Sequence, residues 1–375
     1  MELKIVCRRA VLVIFGAFVL PMTIFGFARY SHKFTAIAEG ASRLMLVKER
    51  KKSVGPKQAV PAGAEISEFS YWDIATAKEE TEPERTSAEI PSPLPADDIN
   101  DLIPYPTGLT DHDGVIQKYT YGHYDDDAFF DLDGGGQVRN CTDIPNRELI
   151  ELSREDLPFD TEFNEGEPVI LIYHTHATES FALEDKEWYD KDFYGKTTER
   201  DKNIISVGDR ICAKLDEAGV PYIHDTLVHD QPSYDDAYYS SRDAVQKILA
   251  KYPSIKVCLD VHRDGIERED GTRIAPVADI DGREAAQIML ISCADEGSGD
   301  LPDFRENFKF ACKLQSRLES EHNGLTRPVL FDTRFYNQDL STGALLIEVG
   351  SHGNSLEQAQ YSGELIGETL AGLFS

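Results

Sequence analysis

The sequence lacks a CxxC pair, and this absence limits both its metal chemistry and its redox chemistry. Its six cysteines are widely scattered along 375 residues. Such spacing predicts neither a thiolate zinc site nor a dense disulfide framework. Cys212 and Cys258 lie in apolar helix-like and strand-like contexts, where a small buried thiol is the expected role. The pattern leaves room for one long-range disulfide.

Basic residues are scarce beside acidic ones. The chain has 38 lysines and arginines against 67 aspartates and glutamates, a formal net charge of −29. This excess argues against binding nucleic acid, or an anionic membrane surface, through bulk charge. It does not restrict the fold, because a hydrophobic fraction of 41% supports a core. The length suits one large domain, or two ordinary domains with linkers.

Two catalytic or binding motifs are also missing. The acidic stretch DLDGGG, residues 131–136, lacks the ligand spacing and closing glutamate of an EF-hand, so we interpret it as an exposed turn. Ser180 has neither a nucleophile elbow nor a paired base, which argues against a serine hydrolase triad. These absences leave histidines and carboxylates as the candidate catalytic groups.

One long apolar run is present, at residues 10–28. In a helix it would rise about 28 Å, close to the thickness of the bilayer's hydrocarbon core. Basic residues before the run favour a cytoplasmic N-terminus and an extracytoplasmic location for everything after residue 30. A cleaved signal peptide is the alternative, with the tripeptide AIA at 36–38 as its cleavage site. We favour an uncleaved single-pass anchor, residues 1–33, because the run is long and basic residues separate it from AIA.

Composition divides the remaining chain into three parts. Residues 34–100 include a stretch rich in Pro, Glu, Ser and Thr without periodic hydrophobicity, which predicts a flexible tether. Residues 101–166 hold aromatics but few long apolar runs, and we expect a loosely organised N-terminal extension of the catalytic domain. Over residues 167–375 strands alternate with helices, which predicts an α/β domain whose mixed, mostly parallel sheet is flanked by helices.

The spacing of apolar residues predicts the elements of this domain. Short apolar runs predict buried strands at 168–176, 255–265 and 343–355, and a strand-like segment at 221–230. Helical periodicity predicts helices at 203–220, 234–253, 307–324 and 356–374. Residues 283–293 fit either a helix or, at their end, another strand.

Ionisable residues follow three of the predicted strands, at the ends where ligands sit in open α/β sheets. The first strand runs into HTHATE, in which His176 and Glu179 are spaced so that one turn aims both at a single ion. The second ends in DVHRD, with His262, and the third in IEVG, with Glu348. Two imidazoles, a carboxylate and an open fourth position are the ligand set of catalytic zinc hydrolases. The sequence therefore predicts zinc at His176, Glu179 and His262, with Glu348 pointing at the same cleft.

Other assignments remain open at this point. A lone buried histidine is more often a hydrogen-bonded structural group, but several polar groups at converging strand ends are costly to bury without a shared partner. His174 is an alternative ligand, because in an extended segment it shares a face with His176. We prefer His176 for its spacing to Glu179; the other histidine would orient a neighbour or contact substrate. Three further histidines are candidates for the cleft lining: His224, His229 and His352.

Five motifs follow one another in the α/β domain: LIYHTHATESF, NIISVGDRI, HDQPSYDDAYYSSRDAV, CLDVHRDG and YNQDLSTGALLIEVGSHGNSLEQA. In this order the chain resembles the stage II sporulation protein P family, membrane-anchored peptidoglycan amidases of endospore-forming bacteria. The resemblance covers residues 168–375, and the anchor and tether suit the family. Ser351 departs from it, where the family more often has Gly-Gly after EV. We expect this change to adjust a turn rather than remove activity.

The resemblance implies a zinc-dependent N-acetylmuramoyl-L-alanine amidase, with cleavage of peptide cross-links also attributed to the family, and a three-layer zinc-amidase-like fold. The family's motif residues fall on His174 or His176, on His262 and on Glu348. A catalytic zinc polarises the substrate carbonyl and lowers the pKa of water to about 7. Glu348 would take up the proton and return it to the departing amine. Arg263 would bind a stem-peptide carboxylate, or else pair with Asp264.

The resemblance also implies a biological setting. The expected role is degradation of septal peptidoglycan during engulfment in sporulation, by a domain in the intermembrane space of the septum. Stage II sporulation proteins D and M are the expected partners, and no nucleic acid is expected. Two other functions stay open: a catalytically silent peptidoglycan-binding scaffold, which would not bind zinc, and a zinc-dependent glycan deacetylase or esterase, which would release acetate.

Overall fold

Residues 102–374, except 165, 194 and 296, are described by a computed structural model. The predicted anchor at 10–28 and the tether at 34–100 lie outside this range. Within the described residues, none of the helices is both long enough and apolar enough to cross a membrane.

The described part of the chain forms twelve strands and five α-helices. The strands are β1 (Gly114–Tyr119), β2 (Phe129–Asp131), β3 (Gln137–Asn140), β4 (Ile170–Tyr173), β5 (Trp188–Tyr189), β6 (Tyr222–His224), β7 (Val257–Asp264), β8 (Arg273–Ile280), β9 (Arg283–Ala286), β10 (Ile288–Cys293), β11 (Val329–Asp332) and β12 (Ala344–Ser351). The helices are α1 (Asn146–Ser153), α2 (Ile205–Ala218), α3 (Ala237–Lys251), α4 (Phe304–Glu321) and α5 (Leu356–Leu373).

Eight of these strands form the central sheet, in the order β2-β3-β11-β10-β12-β7-β4-β6. Five of its pairings are parallel and two, β2 with β3 and β10 with β12, are antiparallel. The prediction of a mixed, mostly parallel sheet is confirmed. The three strands predicted to carry the site, β4, β7 and β12, are neighbours and run in the same direction.

Helices cover both faces of the sheet, because the side chains of its buried strands alternate between two cores. On β4, Ile170 and Ile172 belong to a large core that also contains residues of α1, α2, α4 and α5. Leu171 and Tyr173, between and after them, belong to a smaller core with Val245 of α3. We call these two sides the α2 face and the α3 face.

Helices α2 and α5 lie close together on the α2 face because α5 has glycines at the crossing. A Cβ at Gly363 would lie 2.7 Å from the Val207 carbonyl oxygen, and one at Gly367 would lie 2.6 Å from that of Ile211. Larger residues would push the two backbones apart. Helix α2 ends as predicted, with Gly219 in the left-handed conformation after its last turn.

The helical alternative for residues 283–293 is wrong, because this segment forms β9 and β10. A hairpin joins β8 to β9 through Asp281-Gly282, both with positive φ, which is the geometry that an Asp-Gly hairpin turn requires. With β5 and β1, this hairpin forms a second sheet in the order β5-β1-β8-β9.

Residues 101–166 contribute to both sheets. Strand β3 pairs in parallel with β11 and so extends the central sheet, while β1 pairs in parallel with β8 of the second sheet. Helix α1 buries Leu149 and Leu152 in the large core. Parts of this segment are thus built into both sheets through short strands whose partners are distant in sequence.

Candidate active site

The candidate site lies where β4, β7 and β12 end at one edge of the central sheet. His262 of β7 and Glu348 of β12 are direct cross-strand neighbours. After β4 the chain turns, and this turn carries His176 and Glu179 to the same edge. All four side chains are at most 3% exposed. The structure therefore brings together the predicted ligands and the predicted general base.

Glu179 and His262 lie side by side. Glu179 Oε2 is 3.8 Å from His262 Nδ1 and accepts a hydrogen bond from the backbone N–H of Arg263 at 2.9 Å. The other ring nitrogen, His262 Nε2, lies 2.8 Å from Asp260 Oδ1. Burial opposes the charged imidazole, but the Asp260 carboxylate outweighs it and raises the pKa of His262 to about 9. Asp260 therefore orients the imidazole with Nδ1 toward Glu179.

His176 lies among aromatic rings on the α3 face. Its ring stacks on Tyr234 at a centroid distance of 4.2 Å and meets Tyr238 edge-on at 5.5 Å. The His262 ring is 5.4 Å away, and Asp230 Oδ2 lies 4.0 Å from His176 Nδ1. Burial, and then the nearby His262, lower the pKa of His176, which keeps this imidazole neutral.

Glu348 is a buried carboxyl with unused hydrogen-bonding capacity. Among the described residues, none forms a hydrogen bond with its Oε2 atom. Burial is the main cause that raises the pKa of Glu348 to about 8, with the charge of Asp264 adding to it. Asp264 is held by Arg327, whose Nη1 lies 2.8 Å from Asp264 Oδ2. The pair sits beside Glu348 at the ends of β7 and β12.

His174 lies on the opposite face from His176. Its Nδ1 is 2.9 Å from the Val261 carbonyl oxygen, and its Nε2 is 2.9 Å from His224 Nε2. A Cβ on Gly208 of α2 would lie 2.6 Å from both Nε2 atoms, so the two histidines pack directly against that helix. The expected shared face is absent because β4 ends at Tyr173 and the alternation stops there.

Arg263 is buried beside the site but does not pair with the Asp264 carboxylate, which Arg327 occupies. Its Nη2 reaches only the Gly195 carbonyl oxygen, at 3.4 Å, and its Nε has no hydrogen-bond partner in the described structure. A guanidinium held by carbonyl oxygens alone retains donors for an anionic ligand. The alternative ion pair with Asp264 is therefore not formed.

The remaining histidine candidates divide into two groups. His224 contacts His174, and His229 lies 3.0 Å from Asp225 Oδ2, so both have structural partners on their own segment or face. His352 lies 3.8 Å from Glu267 Oε2, next to the end of β12. The sequence pattern placed Asp260 among the ionisable residues at the end of the second strand but gave it no role. It did not identify Asp230 or the two tyrosines that contact His176, of which Tyr238 lies in the first turn of α3 and Tyr234 lies just before that helix.

Ser351 ties the end of β12 to the second sheet. Its hydroxyl donates a hydrogen bond to the Ile274 carbonyl oxygen and accepts one from the Gly353 N–H. The β7–β12 register shifts between Glu348 and Ser351. The residue that departs from the family motif thus lies at the end of β12, directly before the turn that follows the site.

The donor set fits zinc in kind: two imidazoles and a carboxylate, buried and adjacent. The 3.8 Å between Glu179 Oε2 and His262 Nδ1 is slightly longer than the separation of about 3.3 Å expected of two ligands on one tetrahedral zinc. In the part of the chain that the structure describes, no group of three or more His, Cys, Asp or Glu side chains already has metal-binding geometry.

A sequence model of one protein family, described as stage II sporulation protein P, matches residues 47–371. Stage II sporulation protein P of Bacillus subtilis (strain 168) is 29% identical over 217 residues, which are 55% of this chain and 51% of that protein. The match thus spans about half the length of that relative.

Two solved structures share a broader likeness with the chain. N-acetylmuramoyl-L-alanine amidase AmiC2 of Nostoc punctiforme is 13% identical, covering 56% of this chain and 97% of that one, with a TM-score of 0.35. The CwlD amidase from Clostridioides difficile in complex with the GerS lipoprotein is 12% identical, covering 55% and 94%, with a TM-score of 0.34. Scores at this level carry no argument about chemistry. The family match covers most of the chain, and the chain belongs to the stage II sporulation protein P family.

Proposed function

We propose that the chain is a peptidoglycan hydrolase that cleaves the amide between N-acetylmuramic acid and L-alanine. The observation that carries the proposal is the convergence of His176, Glu179, His262 and Glu348 in one buried cluster at the edge of the sheet. Buried ionisable groups that converge in this way need a shared partner to offset their desolvation. Membership of the family supports the choice of peptidoglycan as substrate.

The cofactor we propose is zinc, held by His176, Glu179 and His262. Zinc bound there would supply Lewis acidity, which polarises a carbonyl and lowers the pKa of water. Asp260 would keep the His262 imidazole oriented, because its carboxylate holds Nε2 and leaves Nδ1 toward Glu179.

Glu348 would move the proton during hydrolysis. It would accept a proton from the attacking water and return it to the nitrogen of the departing L-alanine. A raised pKa makes a carboxylate a stronger proton acceptor, and burial is the main cause that raises the pKa of Glu348. The free Oε2 atom of this side chain is the group available for that exchange.

Arg263 would bind a carboxylate of the stem peptide. Its guanidinium is buried beside Glu179, with weak contacts to carbonyl oxygens, so it can add a bidentate pair without losing an existing ion pair. This contact would orient the substrate so that its amide lies over Glu348. The same subsite is consistent with an additional activity on peptide cross-links.

The cellular setting that we propose follows from the family and from the predicted anchor. The enzyme would be fixed in the membrane by residues 10–28, with its domain in the intermembrane space of the sporulation septum. The tether would let this domain reach the wall that is degraded during engulfment. Stage II sporulation proteins D and M are the proposed partners.

The direct test compares Glu348→Gln with the unsubstituted full chain on purified peptidoglycan. The unsubstituted chain should bind zinc and release free amino groups of L-alanine, and Glu348→Gln should retain zinc but release none. Glu357→Gln is the matched control, since this glutamate is exposed in the first turn of α5. Zinc with acetate release would identify a deacetylase or esterase. A folded chain without zinc or any release would favour the silent scaffold.

A further inference from the structure

Tyr238 is placed against both histidines of the candidate site, although no part of the proposed reaction yet uses it. It lies in the first turn of α3. Its ring meets His176 edge-on at a centroid distance of 5.5 Å and lies parallel to His262, at 6.4 Å and an interplanar angle of 9°. The ring of Tyr336 packs on it from outside, at 5.5 Å. Three rings therefore fix the direction in which the phenol points.

The Tyr238 hydroxyl is buried and has no hydrogen-bond partner among the described residues. Nearly all buried polar groups in proteins are hydrogen-bonded, so an unpaired buried hydroxyl needs an explanation. Two other tyrosines show the usual arrangement: the Tyr361 hydroxyl donates to the Ile280 carbonyl oxygen at 3.1 Å, and the Tyr336 hydroxyl accepts from Arg334 at 2.8 Å. The Tyr238 hydroxyl thus differs from these two hydroxyls because it has no hydrogen-bond partner in the described part of the chain.

The Tyr238 side chain lies among the residues that we propose carry out the reaction. A tyrosine hydroxyl is protonated at neutral pH, so it can donate a hydrogen bond. Glu348 Oε2 is an acceptor that also lacks a hydrogen-bond partner in the described residues. Both side chains adjoin His262: the Tyr238 ring lies parallel to its imidazole, and Glu348 is its cross-strand neighbour.

We propose that Tyr238 is a catalytic residue whose hydroxyl donates a hydrogen bond to the substrate carbonyl oxygen as that oxygen becomes negatively charged. This rests on the proposed amide hydrolysis. The phenol keeps its own proton throughout: the proton that leaves the water goes to Glu348 and then to the departing nitrogen. A donor that is already oriented, in a site from which water is excluded, stabilises such charge without reorganising during the reaction.

The test substitutes Tyr238→Phe in the full chain and measures kcat and KM separately on a soluble muropeptide. Loss of a single oxyanion donor typically lowers kcat by about 10²–10³-fold, and KM should stay within about twofold because the charge is absent from the ground state. Bound zinc and the urea midpoint of unfolding should not fall, since no hydrogen bond within the protein is lost. Tyr361→Phe is the control: it removes a paired buried hydroxyl, so it should lower the urea midpoint and leave kcat unchanged.

Three results would overturn the proposal. An unchanged kcat in Tyr238→Phe, with an active parent, would remove Tyr238 from catalysis and leave the amidase proposal standing. If kcat falls together with the bound zinc or with the urea midpoint of unfolding, Tyr238 is a structural support of the histidines and not a catalytic residue. If the parent releases no amino groups while folded and zinc-bound, the proposed function itself fails, and the role of Tyr238 falls with it.

Discussion

His174 and His176 are separated by one residue, yet they belong to two different regions of the molecule. His174 lies on the α2 face, where each ring nitrogen is within 2.9 Å of a protein atom, Val261 O or His224 Nε2. His176 lies on the α3 face, stacked on Tyr234 and near His262, Glu179 and an unpaired tyrosine hydroxyl. We call the first region the structural histidine pair and the second the catalytic cluster.

This difference shows that burial alone does not separate structural from catalytic histidines, since both of these side chains are at most 1% exposed. The two regions differ in whether the polar atoms around each histidine have hydrogen-bond partners within the protein. In the structural histidine pair, the nitrogens are satisfied by carbonyl, imidazole and carboxylate groups of the protein. In the catalytic cluster, Glu348 Oε2 and the Tyr238 hydroxyl have no such partner within the described chain. The unused capacity indicates where a ligand belongs.

The largest expected effect comes from His262→Ala in the catalytic cluster. Hydrolysis should fall by about 10³-fold or more, as when a principal catalytic group is removed, and bound zinc should be lost. His123→Ala is the control, because this histidine is exposed and distant in sequence from the cluster. Amino-group release and elemental analysis measure both effects. If His262→Ala keeps both its zinc and its full activity, the zinc binds outside this cluster.

A smaller effect, on stability alone, is expected from Gly208→Ala in the structural histidine pair. The new Cβ would lie 2.6 Å from the Nε2 atoms of His174 and His224, so the pair or the helix must move. Overpacking of this kind costs about 1–3 kcal/mol, measurable by urea unfolding, while bound zinc should be unchanged. Gly372→Ala is the control, since its Cβ would meet only the end of the Arg317 side chain. If Gly208→Ala loses its zinc, the structural histidine pair and the catalytic cluster are coupled and do not act as separate regions.

The smallest effect concerns Asp209, which supports His224 at 3.3 Å. Burial opposes its charge, but His224 and Arg200 outweigh burial and lower the pKa of Asp209 from 3.8 to about 2. A lowered pKa stabilises the fold above the unfolded value, and this contribution is lost as pH falls through the folded value. The urea midpoint of the parent should therefore exceed that of Asp209→Asn above pH 3.8 and approach it toward pH 2. A difference in urea midpoint that stays constant across this pH range would contradict the lowered pKa of Asp209.

Much of the fold follows from local sequence. Strands β4, β7 and β12 were predictable because short continuous apolar runs are typical of buried strands, and helices α2 to α5 because their apolar residues recur with helical spacing. Helix α1 was not predicted. Strands β1, β2 and β3 were not predicted, because they are short and gain their stability from distant partners such as β8 and β11. The Asp281-Gly282 dipeptide is a local signal for the β8–β9 hairpin, and it favours a strand over a helix for the residues that follow it.

The candidate site was predictable in its ligands but not in its surroundings. Strand ends and the spacing of HTHATE indicated His176, Glu179, His262 and Glu348. The sequence does not show where the alternation of side chains along β4 ends, so His174 was expected on the same face as His176. Tyr238 was missed because a tyrosine on an amphipathic helix looks like any partly buried aromatic, and its unpaired hydroxyl appears only once the fold is known.

The most direct test of this account measures the zinc bound per chain in His176→Ala and in His174→Ala, each made in the full chain. Both substitutions remove one buried imidazole from the same short motif, so they are matched in chemistry. We expect His174→Ala to unfold at lower urea yet keep its zinc, and His176→Ala to lose zinc and stay folded. Zinc retained by His176→Ala and lost from a folded His174→Ala would contradict the roles given to these two histidines.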